Sequence, residues 1–226
     1  MQPSAQYPTR NNTPQLFCRK VLRGDDPTGP FEMVGKISDK TDRWAIDGTV
    51  LEHKNELYFI WSGWKGDADG SQNLYIAHMS SPTEIDSPRF LLSEPTRKWE
   101  TNGMPINEGP AALYGSDATY LVYSASGSWT DDYCLGMLRF TGGNPLDKAN
   151  WTKCPVAVFT KQDTAYGPGH CSFVRAEGTD YIVYHANLES GTGWNGRTVR
   201  VQPIRWIGSV PYFGKPLPAG SEVDLP

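Results

Sequence analysis

The chain states the same pattern three times at an interval of about 60 residues. Trp44 to Trp64 reads as a carboxylate, Asp47, on an Asp-Gly turn, then a strand, a polar hairpin from His53 to Glu56, and a second strand rich in aromatics. Asn107-Glu108-Gly109-Pro110 leads into A-A-L, a turn at Gly115 to Ala118, and T-Y-L-V-Y. Gly169-His170 leads into C-S-F-V, a turn at Glu177 to Thr179, and D-Y-I-V-Y. The leading polar residues Asp47, Glu108 and His170 stand 61 and 62 residues apart, and Tyr58, Tyr120 and Tyr181 follow them at 11 or 12 residues. A fixed period of this kind marks a stack of supersecondary units, each too small to bury its apolar face alone. A packing position would keep an apolar residue. This one changes from Asp to Glu to His, so the three side chains are expected at a shared centre.

Each unit offers four short strands separated by Gly, Pro, Asn and Asp turns. The first, from about Thr41 to Asn102, adds strands over Asn73–Met79 and Arg89–Leu92. The second, from about Gly103 to Asp163, adds Tyr133–Phe140 and Pro155–Phe159. The third, from about Thr164, adds Thr198–Trp206 and Val210–Phe213. Ahead of them, Leu16–Leu22 and Phe31–Ile37 around a turn over 23–30 look like the latter half of a further unit. No stretch sustains a 3.6-residue apolar period, so no long helix is predicted. Four antiparallel strands at a fixed interval describe a propeller blade, and closed propellers use about four to eight. The expectation is an all-β chain, a β-propeller with about three and a half blades present and the break at the N-terminal half-unit. Residues 1–13 are expected as a disordered lead and 14–226 as a partial propeller domain.

Composition removes several function classes. The net charge is −4 with no basic stripe, which argues against a nucleic-acid partner. No apolar run approaches the ~20 residues that span a bilayer, and the polar start of the chain predicts no signal peptide. Cys18, Cys134, Cys154 and Cys171 show no CxxC spacing. They are read as buried thiols rather than zinc ligands, with one disulfide as the alternative. Asn11 and Asn150 open glycosylation sequons.

A propeller sends its innermost strands toward one axis, so residues at the starts of those strands converge on one face. Asp47 and Glu108 would flank a pocket there. Acid/base glycoside hydrolysis needs two such carboxyl groups, one protonated for the leaving oxygen and one activating water. Glu108, beside an aromatic strand that would desolvate it, is the candidate acid; a strand-capping turn residue is the plainer alternative. Asp47 competes with an ordinary Asp-Gly turn. His170 would face the channel and hold a cation or water, against a structural histidine. Trp44, Trp64 and Trp129 lie near the carboxylate loops and offer faces to sugar rings, while Trp61 is expected between blades. Arg197, in N-G-R-T, would reach a carboxylate or a sugar hydroxyl, against a solvated loop arginine.

At these residues the chain resembles glycoside hydrolase family 43, and within it the arabinan-directed α-L-arabinofuranosidase branch. The stretches that carry the resemblance are R-W-A-I-D-G-T-V at 43–50, W-S-G-W at 61–64, Q-N-L-Y-I-A at 72–77 and N-E-G-P at 107–110. They continue with Y-S-A-S-G at 123–127, D-Y-C-L-G-M-L at 132–138, Y-G-P-G-H at 166–170 and G-R-T at 196–198. The resemblance implies a five-bladed propeller, secretion, and inverting hydrolysis of terminal α-L-arabinofuranosyl residues in arabinan or arabinoxylan side chains by a monomer. It implies that Asp47 tunes the acid, Glu108 is the acid, His170 stands near a bound cation, often Ca2+, and Arg197 is the active-site arginine. The family's general base is an aspartate on the first blade, upstream of this chain, and Asp25 and Asp26 in their turn do not replace it. Cys171 stands where a polar residue is more usual. A non-catalytic carbohydrate-binding remnant and a β-xylosidase specificity are the alternatives.

Overall fold

The computed structural model describes the backbone of residues 16–21, 31–68 and 70–223, with side chains from residue 35 onward except at 69. The expected lead over 1–13, the turn over 23–30 with Asp25 and Asp26, the sequon at Asn11 and the Cys18 side chain lie outside the described residues.

Strands β1 (Leu16–Val21) and β2 (Phe31–Ile37) form an antiparallel pair. The first full sheet holds β3 (Ala45–His53), β4 (Glu56–Trp64) and β5 (Gln72–Ser81) in order, with β6 (Glu84–Ile85) and β7 (Phe90–Ser93) both pairing with β5. The second is β8 (Asn107–Tyr114), β9 (Thr119–Ala125), β10 (Cys134–Phe140) and β11 (Trp151–Lys153), again in sequence order. The third is β12 (Tyr166–Ala176), β13 (Thr179–Asn187) and β14 (Arg197–Pro203), followed by a separate hairpin of β15 (Arg205–Ile207) and β16 (Val210–Tyr212). The inner strands lie against one another, β3 against β8 and β8 against β12. These sheets are blades of a β-propeller, and among the described residues there is no α-helix.

Side-chain alternation explains why the middle strands read as unbroken apolar runs. Successive residues of a strand face opposite sides, and β9, in the second sheet, has a core on each side. On β9, Leu121, Tyr123 and Ala125 join Leu51, Ile60, Leu74 and Ile76 in the core between the first two sheets. Tyr120 and Val122 point the other way, into a core with Leu135, Phe159, Ile182 and Tyr184. Trp61 is 3% exposed, packed near Phe59 and Tyr75, as expected for a tryptophan within the stack.

Two outer strands differ from expectation, and proline is the reason in both. The second sheet's outer strand is Trp151–Lys153, ahead of the expected 155–159, because Pro155 has no N–H to give the ladder; Phe159 keeps only an isolated bridge to Leu135. The expected strand over 198–206 stops at Pro203, and Ile204 turns its N–H to Asp180 O at 2.7 Å. The third sheet therefore has three strands, not four. Among the described cysteines, Cys134, Cys154 and Cys171 are free thiols, and burial pushes Cys134 and Cys171 up to about 12. No described helix is long and apolar enough to cross a membrane.

Each inner strand carries a bulge at the same register. Pairing slips between Ile46 and Thr49, between Glu108 and Ala111, and between Gly169 and Ser172. The residue at the slip takes a left-handed backbone in every case: Asp47 at φ 56°, Gly109 at φ 53° and His170 at φ 49°. Bulges re-aim side chains beside functional sites. This shifts the repeat by one residue: Gly109, not Glu108, is the counterpart of Asp47 and His170. Glu108 stands one step earlier, level with Ile46 and Gly169.

Candidate active site

The bulges bring side chains from three sheets together. Asp47, Glu108 and His170 each place a potential ligand atom within 4.8 Å of the others. Asp47 is half-buried, and its Oδ2 accepts the Gly109 N–H at 3.1 Å, tying the first full sheet to the bulge of the second. His170 is exposed; its backbone N–H donates to Ser124 Oγ at 2.7 Å. Its ring lies over Gly109, where a Cβ would meet it at 3.2 Å. Position 109 thus needs glycine for its backbone angle and for room.

Glu108 is 8% exposed, and its Oε1 accepts the Tyr133 hydroxyl at 2.7 Å. Burial pushes its carboxyl up to about 7; the Tyr133 hydrogen bond pulls it down, the Asp47 charge raises it, and the Arg197 guanidinium lowers it. A carboxyl poised near neutrality suits a general acid.

Tyr133 and His185 were not singled out by the sequence reading. Tyr133 is fully buried and stacks on His185 with ring centroids 5.7 Å apart and planes 3° apart. Both His185 ring nitrogens are buried without a hydrogen-bond partner. Burial pushes the imidazole down to about 3, helped by the Arg197 and His170 charges, so it is neutral. Gly169 makes room for this stack, since a Cβ there would come within 2.4 Å of the Tyr133 ring. A signal existed. Ser62, Ser124 and His185 face Ile46, Glu108 and Gly169 across the ladder, so His185 breaks a serine pattern at the site register.

Glu108 is fixed from beneath. The neighbouring Asn107 donates to Glu100 Oε1 at 2.9 Å and accepts from Ser93 Oγ at 2.7 Å. Glu100, fully buried, also takes Tyr123 OH at 3.0 Å, Lys153 Nζ at 2.6 Å and the backbone N–H groups of Thr96 and Arg97. Ser62 Oγ donates to Asn107 O at 2.8 Å across the blade boundary.

The ladder ends place the expected sugar contacts on the same face. Ala45 pairs with Gly63, Asn107 with Ala125 and Tyr166 with Asn187, so the loops after β4, β9 and β13 all leave beside the bulges. Trp44 and Trp64 stack at 4.7 Å and 11°, both half-buried. Trp129 rests over Gly103 and Gly127. Arg197 opens β14, donates to Ser128 O at 2.9 Å and bears electrostatically on Glu108 and His185. Calcium takes six to eight oxygens. One imidazole beside two carboxylates, one of them suited to hold a proton, fits a cation that keeps most of its ligands as water.

The model of the glycosyl hydrolases family 43 matches residues 7–209. The chain is 37% identical over 174 residues to an extracellular exo-α-(1→5)-L-arabinofuranosidase of Streptomyces chartreusis, covering 74% of this chain and 53% of that one. It is 35% identical over 205 residues to the enzyme of the same name from Streptomyces avermitilis, covering 85% and 42%. Thus it spans about half the length of the curated relatives it matches. Among solved structures, an α-L-arabinofuranosidase from Lactobacillus brevis aligns with a TM-score of 0.85 at 32% identity, covering 92% of this chain and 68% of that one. By its repeat, its blades and this match over most of its length, the chain belongs to glycosyl hydrolase family 43.

Proposed function

We propose that this chain carries the acid half of an inverting exo-α-L-arabinofuranosidase that removes terminal α-L-arabinofuranosyl residues from arabinan or arabinoxylan side chains. The observation that carries the reading is Glu108: a buried carboxyl with a pKa of about 7, bound by Tyr133 and set beside Asp47. In its protonated form Glu108 hands a proton to the glycosidic oxygen as the bond to the anomeric carbon breaks. The charge of the neighbouring Asp47 raises the Glu108 carboxyl and so favours its holding the proton until transfer. Arg197 binds a sugar hydroxyl and limits how far Glu108 is raised. Trp44, Trp64 and Trp129 supply ring faces for the C–H faces of the sugars. A Ca2+ ion beside His170 would add a fixed positive charge at the foot of the site. The water that attacks the opposite face needs a base, and inverting pairs stand about 6.5–9.5 Å apart to admit it. That base is assigned to a carboxylate outside the described residues.

The test is hydrolysis of debranched 1,5-arabinan by the 226-residue chain and by Glu108→Ala. The expected result is turnover lost by more than 100-fold in the variant, since general acid catalysis contributes about 10²–10⁴. An activated aryl arabinofuranoside, whose leaving group needs no proton, should suffer much less. Equal rates on arabinan for both proteins would refute the acid assignment. The second reading, saccharide binding without turnover, is favoured by the make-up of the site, where Asp47 and Glu108 are the two carboxylates that gather with His170 among the described residues. It predicts arabino-oligosaccharide binding by calorimetry with no product released.

A further inference from the structure

Two loops that leave the ladders beside the bulges are clasped to each other. One runs over 126–133 between β9 and β10, the other over 188–196 between β13 and β14. Trp194 Nε1 donates to Ser128 Oγ at 3.0 Å, and Arg197, just past the second loop, donates to Ser128 O at 2.9 Å. Asp131 takes the other two bonds: Ser190 Oγ donates to its Oδ2 at 2.5 Å and the Gly191 N–H to its Oδ1 at 3.0 Å. The Asp131 carbonyl also receives the Gly167 N–H at 2.9 Å, three residues before His170. Two residues of one loop, Ser128 and Asp131, thus anchor the other at Ser190, Gly191 and Trp194. The anchored loop needs it, because Gly191 and Gly193 both hold left-handed backbones at φ 76° and 61° and free glycines lose the most entropy on ordering.

The clasp fixes a corner of two indoles. Trp129 and Trp194 meet at 85° with centroids 6.1 Å apart, and Trp194 is 46% exposed. Its N–H is engaged with Ser128, so what it offers a ligand is a ring face held at a fixed angle. Pyranose and furanose rings present C–H faces that suit such a surface, and the Arg197 guanidinium beside it supplies donors for hydroxyls. An exo-acting pocket takes the terminal sugar at the acid, and the remaining polymer lies over the rim.

We propose that Trp194 is the platform for the saccharide on the leaving-group side of Glu108, and that Asp131 is the positioning residue that holds it there. The proposal rests on the reading that this pocket takes a pentose polysaccharide. Binding without the other sugars would leave the platform unused. The terminal residue alone should therefore be indifferent to it, and a longer chain should not.

The experiment measures binding of arabinose and of α-1,5-arabinotriose by calorimetry to the 226-residue chain and to Trp194→Ala, Trp194→Phe, Asp131→Ala and Asp131→Asn. The expected result is triose binding at least tenfold tighter than arabinose, with that advantage lost in Trp194→Ala and Asp131→Ala and arabinose binding unchanged. Trp194→Phe keeps a ring and Asp131→Asn keeps an acceptor, so both should retain part of the advantage, which a general loss of folding would not produce. Triose binding unchanged in both alanine variants overturns the platform and leaves the functional reading standing. If the parent chain ignores arabinotriose but binds xylotriose in a Trp194-dependent way, the platform stands and the arabinose reading falls. If the parent chain binds no saccharide, both fall.

Discussion

Glu108 shows how one side chain is tuned by its surroundings. Folding raises its carboxyl from an ordinary 4.5 to about 7, so the folded chain holds that proton more tightly than the unfolded one. Between those values folding takes up a proton, and stability falls as pH rises. Above about 7 the buried carboxylate is ionised at a cost of ~3 kcal/mol, at 1.36 kcal/mol per pH unit. Glu108→Gln keeps the shape without the charge. It should match the parent in thermal unfolding near pH 4 and exceed it by up to ~3 kcal/mol at pH 8. A variant equally stable at both pH values would mean that Glu108 is not desolvated. Tyr133 acts in the opposite direction, since its hydroxyl favours the ionised form. Tyr133→Phe should raise the Glu108 carboxyl further and move the alkaline limb of any activity profile upward; a downward move would contradict the hydrogen bond.

At the scale of the strand, the bulges decide what reaches the centre. The hairpins were legible in the sequence, because aromatic runs such as Y-F-I-W and Y-L-V-Y alternate into two cores and their turns carry Gly, Asn and Asp. The bulge was not, since a slip of one residue leaves the apolar pattern intact on the paired strand. That is why Glu108 was aligned with Asp47 and His170, when Gly109 holds that place. Tyr133 and His185 were missed for a related reason: one heads an apolar run and the other stands near the end of one, so both read as core. Proline at 155 and 203 marked the two outer strands that ended early. Beneath the second bulge, Glu100 is the acceptor for Asn107, Tyr123 and Lys153. Lys153 is mostly buried, and that burial lowers its ammonium despite the ion pair. Glu100→Gln removes the charge and strands the lysine, and breaking a buried pair in this way costs about 3–5 kcal/mol. Urea denaturation should show a loss of that size. A change below ~1 kcal/mol, typical of an exposed pair, would show that water reaches the site.

Over the whole molecule, the roughly 60-residue period was the feature that fixed the architecture in advance, because a repeated unit can bury both faces of its middle strands only against its neighbours. The same stacking builds the pocket. Asp47 comes from β3, Glu108 from β8, Tyr133 from the loop before β10, and His170 and Arg197 from the third sheet. Burial is the main cause that raises Glu108, and the Asp47 charge from a neighbouring sheet adds to it. The central claim is that this convergence holds a proton on Glu108 near neutral pH. The measurement that tests it most directly is a carbon NMR titration of the Glu108 carboxyl in the 226-residue chain, assigned by its loss in Glu108→Gln. The account predicts a midpoint of about 7. A midpoint near the ordinary 4.5 would contradict it, and with it the acid role from which the functional reading was built.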